Sequence, residues 1–566
     1  MDQGVDRDGS GVRSYRTSQW VWRACWLVAG LLAVGFLAVF FAAPAIHLIV
    51  KGFIDEEGHP TLAVMAQTFQ SSRTWRIIRF TLGQASLGTL LCLVLGLFGA
   101  HLLYRVSWPG RTLVRALVSV PFVLPTVVVG VAFRTLLASN GRLGFLGLDG
   151  SWQAITAALV FFNYSVVVRT VGSTWAQLDP RRADAARALG AGPLRVWRTV
   201  TLPALAPAIA SAASVVFLFC ASAFGIVQVL GGTQYSTLET EIYTQTVEFL
   251  DLPTASSLAV VQLTVTGLCL FLSGRAQRRL QRSLGSASPG PLRFRGRRDG
   301  LPVVVTAVVL VVLLLAPVLT LVERSFQRDG VWSIANYRAL MSAGDSSGMV
   351  ISVWQTLINS LTTAVWATLL AVGLGAVVAL LLSRRPTGRW GRAGLSIGDA
   401  AFMLPLGVSA VTVGFGFLIT LDRPPLDLRT SPVLVPIAQA MVAIPLVTRV
   451  LLPPLRGIDP RQQEAAAALG APPWRVLGTI DLPVLARGLG LAIGFAFSTS
   501  LGEFGATSFL SRPDRMTLPV AIGRLISRPG AENYGMAMAA SVLLAGMTVV
   551  VMGIAERLRP PEVTSW

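Results

Sequence analysis

Uncharged apolar runs dominate this chain and decide what it can fold into. Twelve of them cover residues 24–50, 80–104, 116–133, 151–168, 204–238, 252–274, 301–322, 346–383, 400–421, 430–448, 488–502 and 535–554. A helix needs about 20 apolar residues to cross the hydrocarbon core of a bilayer. Charged residues make up only 13% of the 566 residues, roughly half of the ~25% that a soluble domain carries. Such a chain lacks the polar surface for a water-facing fold and is too apolar for a disordered one. The expectation is an all-α polytopic membrane protein with about twelve transmembrane helices, and the lipid bilayer is its first partner. The first run follows Arg13, Arg16 and Arg23. It is too long for the apolar stretch of a signal peptide and reads as an uncleaved first helix.

The formal net charge of +19 would point to nucleic acid on a soluble protein. Here the arginines sit between apolar runs, and no basic tract is interleaved with aromatics, so no nucleic-acid partner is expected. Arginine placement instead sets topology. Residues 274–300 hold eight Arg and one Asp and are expected in the cytoplasm. Residues 230–256 carry Glu239, Glu241, Glu248 and Asp251 with no Lys or Arg, and are expected as an external loop. Both termini then lie in the cytoplasm. One loop disagrees: 511–534 carries Arg512, Arg515, Arg524 and Arg528 although it is expected outside.

An internal repeat is more specific than hydropathy. LDPRRADAARALGAGPLRVWRTVTLPAL at 178–205 aligns without gaps to IDPRQQEAAAALGAPPWRVLGTIDLPVL at 458–485, with 16 of 28 positions identical. The offset is 280. It also pairs Arg105 with Arg385, Pro125 with Pro405, and Phe224-Gly225 with Phe504-Gly505. The chain therefore divides into a first six-helix domain, 1–285, a basic cytoplasmic linker, 286–300, and a second six-helix domain, 301–566. An even number of spans per half makes the repeats parallel, with a pathway at their interface. Pro125 and Pro405 are expected to kink the third and ninth helices.

The repeated segment carries Asp184-Ala185-Ala186, Gly190 and Val200-x-Leu202-Pro203, matched by Glu464-Ala465-Ala466, Gly470 and Ile480-x-Leu482-Pro483. This spacing resembles the EAA loop of binding-protein-dependent ABC importer permeases, with Asp184 in place of the usual Glu. Pro180 and Pro460 suit a helix start, and Gly190 and Gly470 suit a left-handed turn that ends it. The resemblance implies a type I ABC importer permease fold and a bacterial plasma (inner) membrane location. It also implies that Asp184, Ala185, Ala186, Gly190, Leu202, Pro203, Glu464, Ala465, Ala466, Gly470, Leu482 and Pro483 form two loops on which a cytoplasmic ABC ATPase docks. Lys51 is the only lysine, so no Walker A motif exists here. The ATPase is expected to be a separate chain in two copies, and cargo to arrive on an external solute-binding protein.

Within those permeases the chain resembles the fused, double-length thiamine and iron(III) types. Leu230-Gly231-Gly232 followed by Thr237-Leu238-Glu239-Thr240-Glu241-Ile242-Tyr243 resembles the thiamine type; Ser500-Leu501-Gly502-Glu503-Phe504-Gly505 is shared more widely. Glu503, with Ala223 as its counterpart, is a candidate for the translocation pathway or, alternatively, a cap on loop backbone. No catalytic constellation stands out, and no enzyme activity is expected. Cys25, Cys92, Cys220 and Cys269 are scattered, as are His47, His59 and His101, so no disulfide, metal site or cofactor is expected. The alternative class is an ion-coupled secondary transporter with parallel repeats. It would need acids inside the membrane as ion sites, and it gives no reason for two matched loops.

Overall fold

The computed structural model describes residues 10–54, 59, 61–232, 234–283, 292–294, 296–328, 330–342, 348–384, 388–422, 424 and 427–558. Residues 286–291 and 295 of the expected linker lie outside them, as does Arg385. The rest of that segment is structured. Leu292-Arg293 pairs in parallel with Val106-Ser107, and the helix Gly296–Val308 has already begun. Apart from this ribbon and a two-residue hairpin at 327–332, the described residues form helices and their connections.

Among the described residues ten helices are long and apolar enough to cross a membrane, or up to twelve if two bent pairs each count as one span. Eight of the ten recur between the halves. Ser72–Ala100 corresponds to Val353–Ser383, Trp152–Gln177 to Leu434–Arg456, Leu202–Ala221 to Leu482–Leu501, and Leu252–Ser283 to Ala531–Arg557. Close approach between two of them is repeated as well. A Cβ on Gly96 would lie 2.6 Å from Val167 Cγ1, and one on Gly375 would lie 2.6 Å from Val447 Cγ1. Membrane helices have no hydrophobic drive to associate in lipid, so small residues that admit a neighbour are what hold them together. Leu27, Leu31, Trp366 and Leu369 remain exposed on the outer faces, as residues facing lipid do.

The other two long helices change sides. Residues 43–51 of the opening helix pack against Ala410–Thr420 of the second half. The helix Ala316–Ser325, which opens the second half, packs against Thr126–Leu137 of the first. Each half is therefore clasped by the other's first helix. One core cluster contains residues from both, among them Leu48, Val127, Phe224 and Ile242 with Phe415, Phe504, Leu518 and Met536.

Three expectations are corrected. The kinks expected near Pro125 and Pro405 are sharp breaks: Arg111–Phe122 and Thr126–Leu137 meet at 101°, and their counterparts Arg389–Pro405 and Ala410–Thr420 meet at 92°. Pro125 and Pro405 are also not equivalent. The helices after the bends start at Thr126 and Ala410, 410 − 126 = 284 apart. After the bend the constant offset has thus slipped by four residues. Pro125 caps the helix after the bend, while Pro405 lies inside the one before it.

The second correction concerns 204–238, expected as one span. The crossing helix ends at Ala221, a short helix Gly225–Leu230 follows, and then another, Leu238–Val247. The second half repeats this with breaks at the same places: Leu482–Leu501, Gly505–Leu510 and Leu518–Ser527. The third concerns the loops 230–256 and 511–534. Leu238–Val247 is a buried helix, started by reciprocal hydrogen bonding between Thr237 and Thr240, and its Glu239 and Glu241 are enclosed. Leu518–Ser527 buries Leu518, Val520, Ile522, Leu525 and Ile526. Charge content made these segments look like water-facing loops. Glu241 is enclosed because Arg73 pairs with it at 3.1 Å.

Candidate functional site

The two matched loops lie at one end of the bundle, each between two crossing helices. The first helix in each is short: Pro180–Ala188 and Pro460–Ala468. Asp179 and Asp459 cap them, accepting from the backbone N–H of Arg181 at 2.9 Å and of Arg461 at 3.0 Å. A carboxylate there satisfies one of the orphan donors of the first turn, and proline at the first helical position gives up no bond.

The ends are equally alike. Ala191 N–H donates to the Ala186 carbonyl at 3.1 Å and Gly190 N–H to Arg187 at 2.9 Å. In the second loop Ala471 donates to Ala466 and Gly470 to Ala467, both at 3.0 Å. This is a Schellman closure, and it needs a residue in the left-handed region. Gly190 has φ 83° and Gly470 has φ 82°. The chain then forms Pro193–Val196 or Pro473–Val476 and a widened π-turn before Leu202 or Leu482 opens the next crossing helix. Pro203 and Pro483 have no N–H for the carbonyl four residues back, and the widened turn absorbs that loss.

Asp184, Ala185, Glu464 and Ala465 are exposed, and neither short helix buries any residue. Leu202 is half-buried, Pro203, Leu482 and Pro483 are exposed, and all four mark the loop's exit. The sequence reading missed Leu189 and Leu469, each 89% exposed directly before the turning glycine. Leu194 and its counterpart Trp474 are exposed beside them. Each loop thus presents an alanine face tipped with bare apolar side chains. The signal available in the sequence was the Leu-Gly pair that recurs at 189–190 and 469–470.

The loops differ in how they are held. Arg105 donates to the carbonyls of Leu178 at 2.7 Å and Trp175 at 3.3 Å, fixing the first loop at its root. In the second, Gln463 donates to Asp481 Oδ1 at 2.6 Å while Arg384 lies 3.1 Å from Oδ2. Asp481 is buried, so one carboxylate ties the short helix to the end of Val353–Ser383. The corresponding first-half residues are Ala183, Thr201 and Tyr104, which cannot form that triad. Asp184 lies beyond the first turn and pairs with Arg187 of its own helix at 2.6 Å; Glu464 has Ala467 at that place.

A second constellation lies where the halves meet. Phe224 and Phe504 are repeat partners, and their rings stack on each other at 5.2 Å. Tyr243 packs on Phe224 at 5.3 Å and edge-on against Phe509 at 5.3 Å. Both phenylalanines are buried, so the boundary is closed at this level. Glu503 lies one residue away. Its carboxylate accepts from the N–H of Ala506 at 2.7 Å and of Thr507 at 2.9 Å, and from the Thr507 hydroxyl, so both oxygens are committed to the start of Gly505–Leu510.

Comparison with known proteins bears on both constellations. The sequence profile of the binding-protein-dependent transport system inner membrane component matches residues 92–286, which contain the whole first loop. The thiamine transport system permease protein ThiP of Escherichia coli (strain K12) is 28% identical over 529 residues, covering 89% of this chain and 91% of its own length. Over nearly its whole length the chain is similar to permease subunits of binding-protein-dependent importers. ThiP of Brucella abortus (strain 2308) is 27% identical, covering 94% of the permease and 95% of its own length. The probable ABC transporter permease protein y4fN of Sinorhizobium fredii is 26% identical over 95% of the permease. Among solved structures, a bacterial ABC transporter that imports alginate is 20% identical with a TM-score of 0.40, covering 46% of the permease and 99% of that chain. The similarity to the double-length relatives runs through both halves, so the second loop belongs to the permease on the same footing as the first.

Proposed function

We propose that the permease imports thiamine or a closely similar small cation across a bacterial inner membrane, driven by a separate ATPase that docks on both loops. The observation that carries this reading is the pair of loop helices with matching caps, matching Schellman closures and matching bare leucines, 280 residues apart. A chain that closes no ATP site of its own has use for two such surfaces if two copies of one partner bind them. By the arginine rule the loop end faces the cytoplasm, as do both termini. The domains 1–285 and 301–566 then rock about their boundary, opening it alternately to each side. Cargo reaches the opposite end on a solute-binding protein, where Phe249 and Leu250 are exposed. Thiamine is preferred over iron(III) because the relatives that match nearly the whole length are named for thiamine transport.

Reconstitution tests this directly. Proteoliposomes holding the permease, its ATPase and its binding protein are expected to accumulate labelled thiamine only with ATP inside the cytoplasmic-face compartment. The purified complex is expected to hold one permease chain per two ATPase chains. Uptake driven by a sodium or proton gradient without ATP would establish the secondary-transporter reading instead. A stable assembly with two permease chains would contradict the claim that one chain supplies both docking surfaces.

A further inference from the structure

Two acceptor oxygens lie buried without a donor at the boundary between the halves. Glu239, fully enclosed near the start of Leu238–Val247, accepts the Ser409 hydroxyl at 2.7 Å through Oε2, while its Oε1 has no hydrogen-bond partner. Ser409 belongs to the other half, where it caps Ala410–Thr420 by accepting from Thr412 N–H at 3.0 Å. Gln262 faces Glu239 from Leu252–Ser283. Its Nε2 donates to the Ala221 carbonyl at 3.3 Å, which leaves its own Oε1 unpartnered too. Two residues along, Glu241 has Arg73 as counter-charge. Among the described residues no arginine, lysine or histidine is ion-paired with Glu239.

A carboxylate enclosed in protein is costly unless something compensates it. What surrounds this one is specific. Tyr243 is four residues on, so it shares a helix face with Glu239. Through Tyr243 that face continues into the rings of Phe224, Phe504 and Phe509, contributed by both halves. A buried carboxylate, a buried amide beside it and aromatic faces together favour one kind of guest. Negative and π-rich groups attract positive charge, and flat rings stack on flat rings.

We propose that Glu239, with Gln262 beside it and Phe224, Tyr243, Phe504 and Phe509 as walls, forms the solute-recognition site within the membrane, and that the solute it takes is an organic cation with a flat ring. The inference rests on the importer reading and deepens it by naming the residue that selects charge. In the closed arrangement the rings fill the site and Ser409 occupies half of the carboxylate. Parting of the halves withdraws Ser409, which is on the far side of the boundary, and offers the carboxylate to the guest.

The test is thiamine uptake into proteoliposomes with the full complex, at saturating binding protein, for wild type, Glu239→Gln, Glu239→Asp and Tyr243→Leu. Glu239→Gln keeps shape and removes charge, and is expected to lower the uptake rate tenfold or more. Glu239→Asp is expected to fall between it and wild type, with all variants co-purifying with the ATPase as wild type does. A wild-type rate in Glu239→Gln would overturn the site: Glu239 is then a neutral carboxyl donating to Gln262, and the importer reading survives. Loss of ATPase co-purification together with uptake would assign Glu239 to packing and also overturn it. ATP-driven import of an anionic or uncharged solute in place of thiamine would remove the cation site while leaving the importer. No ATP-driven uptake by the wild-type complex would sink the importer reading first, and this inference with it.

Discussion

At φ near +82°, Gly190 and Gly470 hold the turns that aim the two loop helices, and nothing lies within 4 Å of where a Cβ would stand on either. A side chain there is penalised by backbone conformation alone, about 1–2 kcal/mol for an L-residue and more for a β-branched one. The cost falls on the loop, since the crossing helices on either side have their own packing. Gly190→Val with Gly470→Val is therefore expected to leave the permease inserted and folded. ATP hydrolysis stimulated by loaded binding protein should drop severalfold, with less ATPase retained on co-purification. Unchanged stimulation and retention would refute the docking role of the loops. The bare leucines give a sharper version. Leu189→Asp and Leu469→Asp put a charge where an apolar partner surface is expected, without touching any contact inside the chain. ATPase retention should fall for each variant and further for the pair, as measured by the ratio of ATPase to permease after affinity purification. Asp184→Ala removes only an exposed pair with Arg187, worth about 0–1 kcal/mol, and should change stimulation by less than twofold.

Single elements differ in how readily their sequence betrayed them. The starts and stops of the loop helices were legible, because Pro180 and Pro460 suit a helix start and Gly190 and Gly470 a turn that ends it. The recurrence at 280 then fixed their partners. The prolines marked the bends but not their sharpness, and the breaks within 204–238 were not legible. Ser222, Ala223 and Phe224 carry no charge, so the run 204–238 looks continuous although the chain turns there twice. Hydropathy records that a residue is away from water, and does not distinguish lipid from protein interior. For the same reason Leu238–Val247 was read as a water-facing loop: an acid enclosed by protein has the same sequence as one in water. The four-residue slip before Thr126 and Ala410 was hidden because a proline happened to stand at the unshifted position as well. The Asp481 triad was invisible to repeat analysis because it exists in one half only. It predicts unequal loops. Asp481→Asn keeps the hydrogen bond from Gln463 within reach and removes the charge facing Arg384. It is expected to loosen only the second short helix. Cross-linking yield from the ATPase to a cysteine at 469 should fall, with the yield at 189 unchanged; equal loss at both positions would show that the triad supports the whole bundle instead.

The molecule as a whole is two halves that clasp each other by their first helices, so they can rock but not part. Sequence order assigns the helix Ala43–Lys51 to the first half and Ala316–Ser325 to the second, whereas each packs on helices of both halves. No one-dimensional reading carries that sharing. The stacked pair Phe224–Phe504 is a repeat-related contact between the halves that any opening there has to separate. This can be tested by tying it shut. In a permease whose Cys25, Cys92, Cys220 and Cys269 are replaced by serine or alanine, Phe224→Cys with Phe504→Cys places two thiols where the rings now stack at 5.2 Å. Both cysteines are on one chain, so the cross-link is counted by mass spectrometry of the joined peptides. Oxidation is expected to stop ATP-driven uptake in proportion to the joined fraction, and a reductant to restore it. Each single cysteine should respond to neither treatment. Full uptake by a population joined in more than nine molecules of ten would mean that solute crosses elsewhere. Failure to join at all, in the resting state with no nucleotide, would mean that the two rings do not meet and that the boundary closes on different residues.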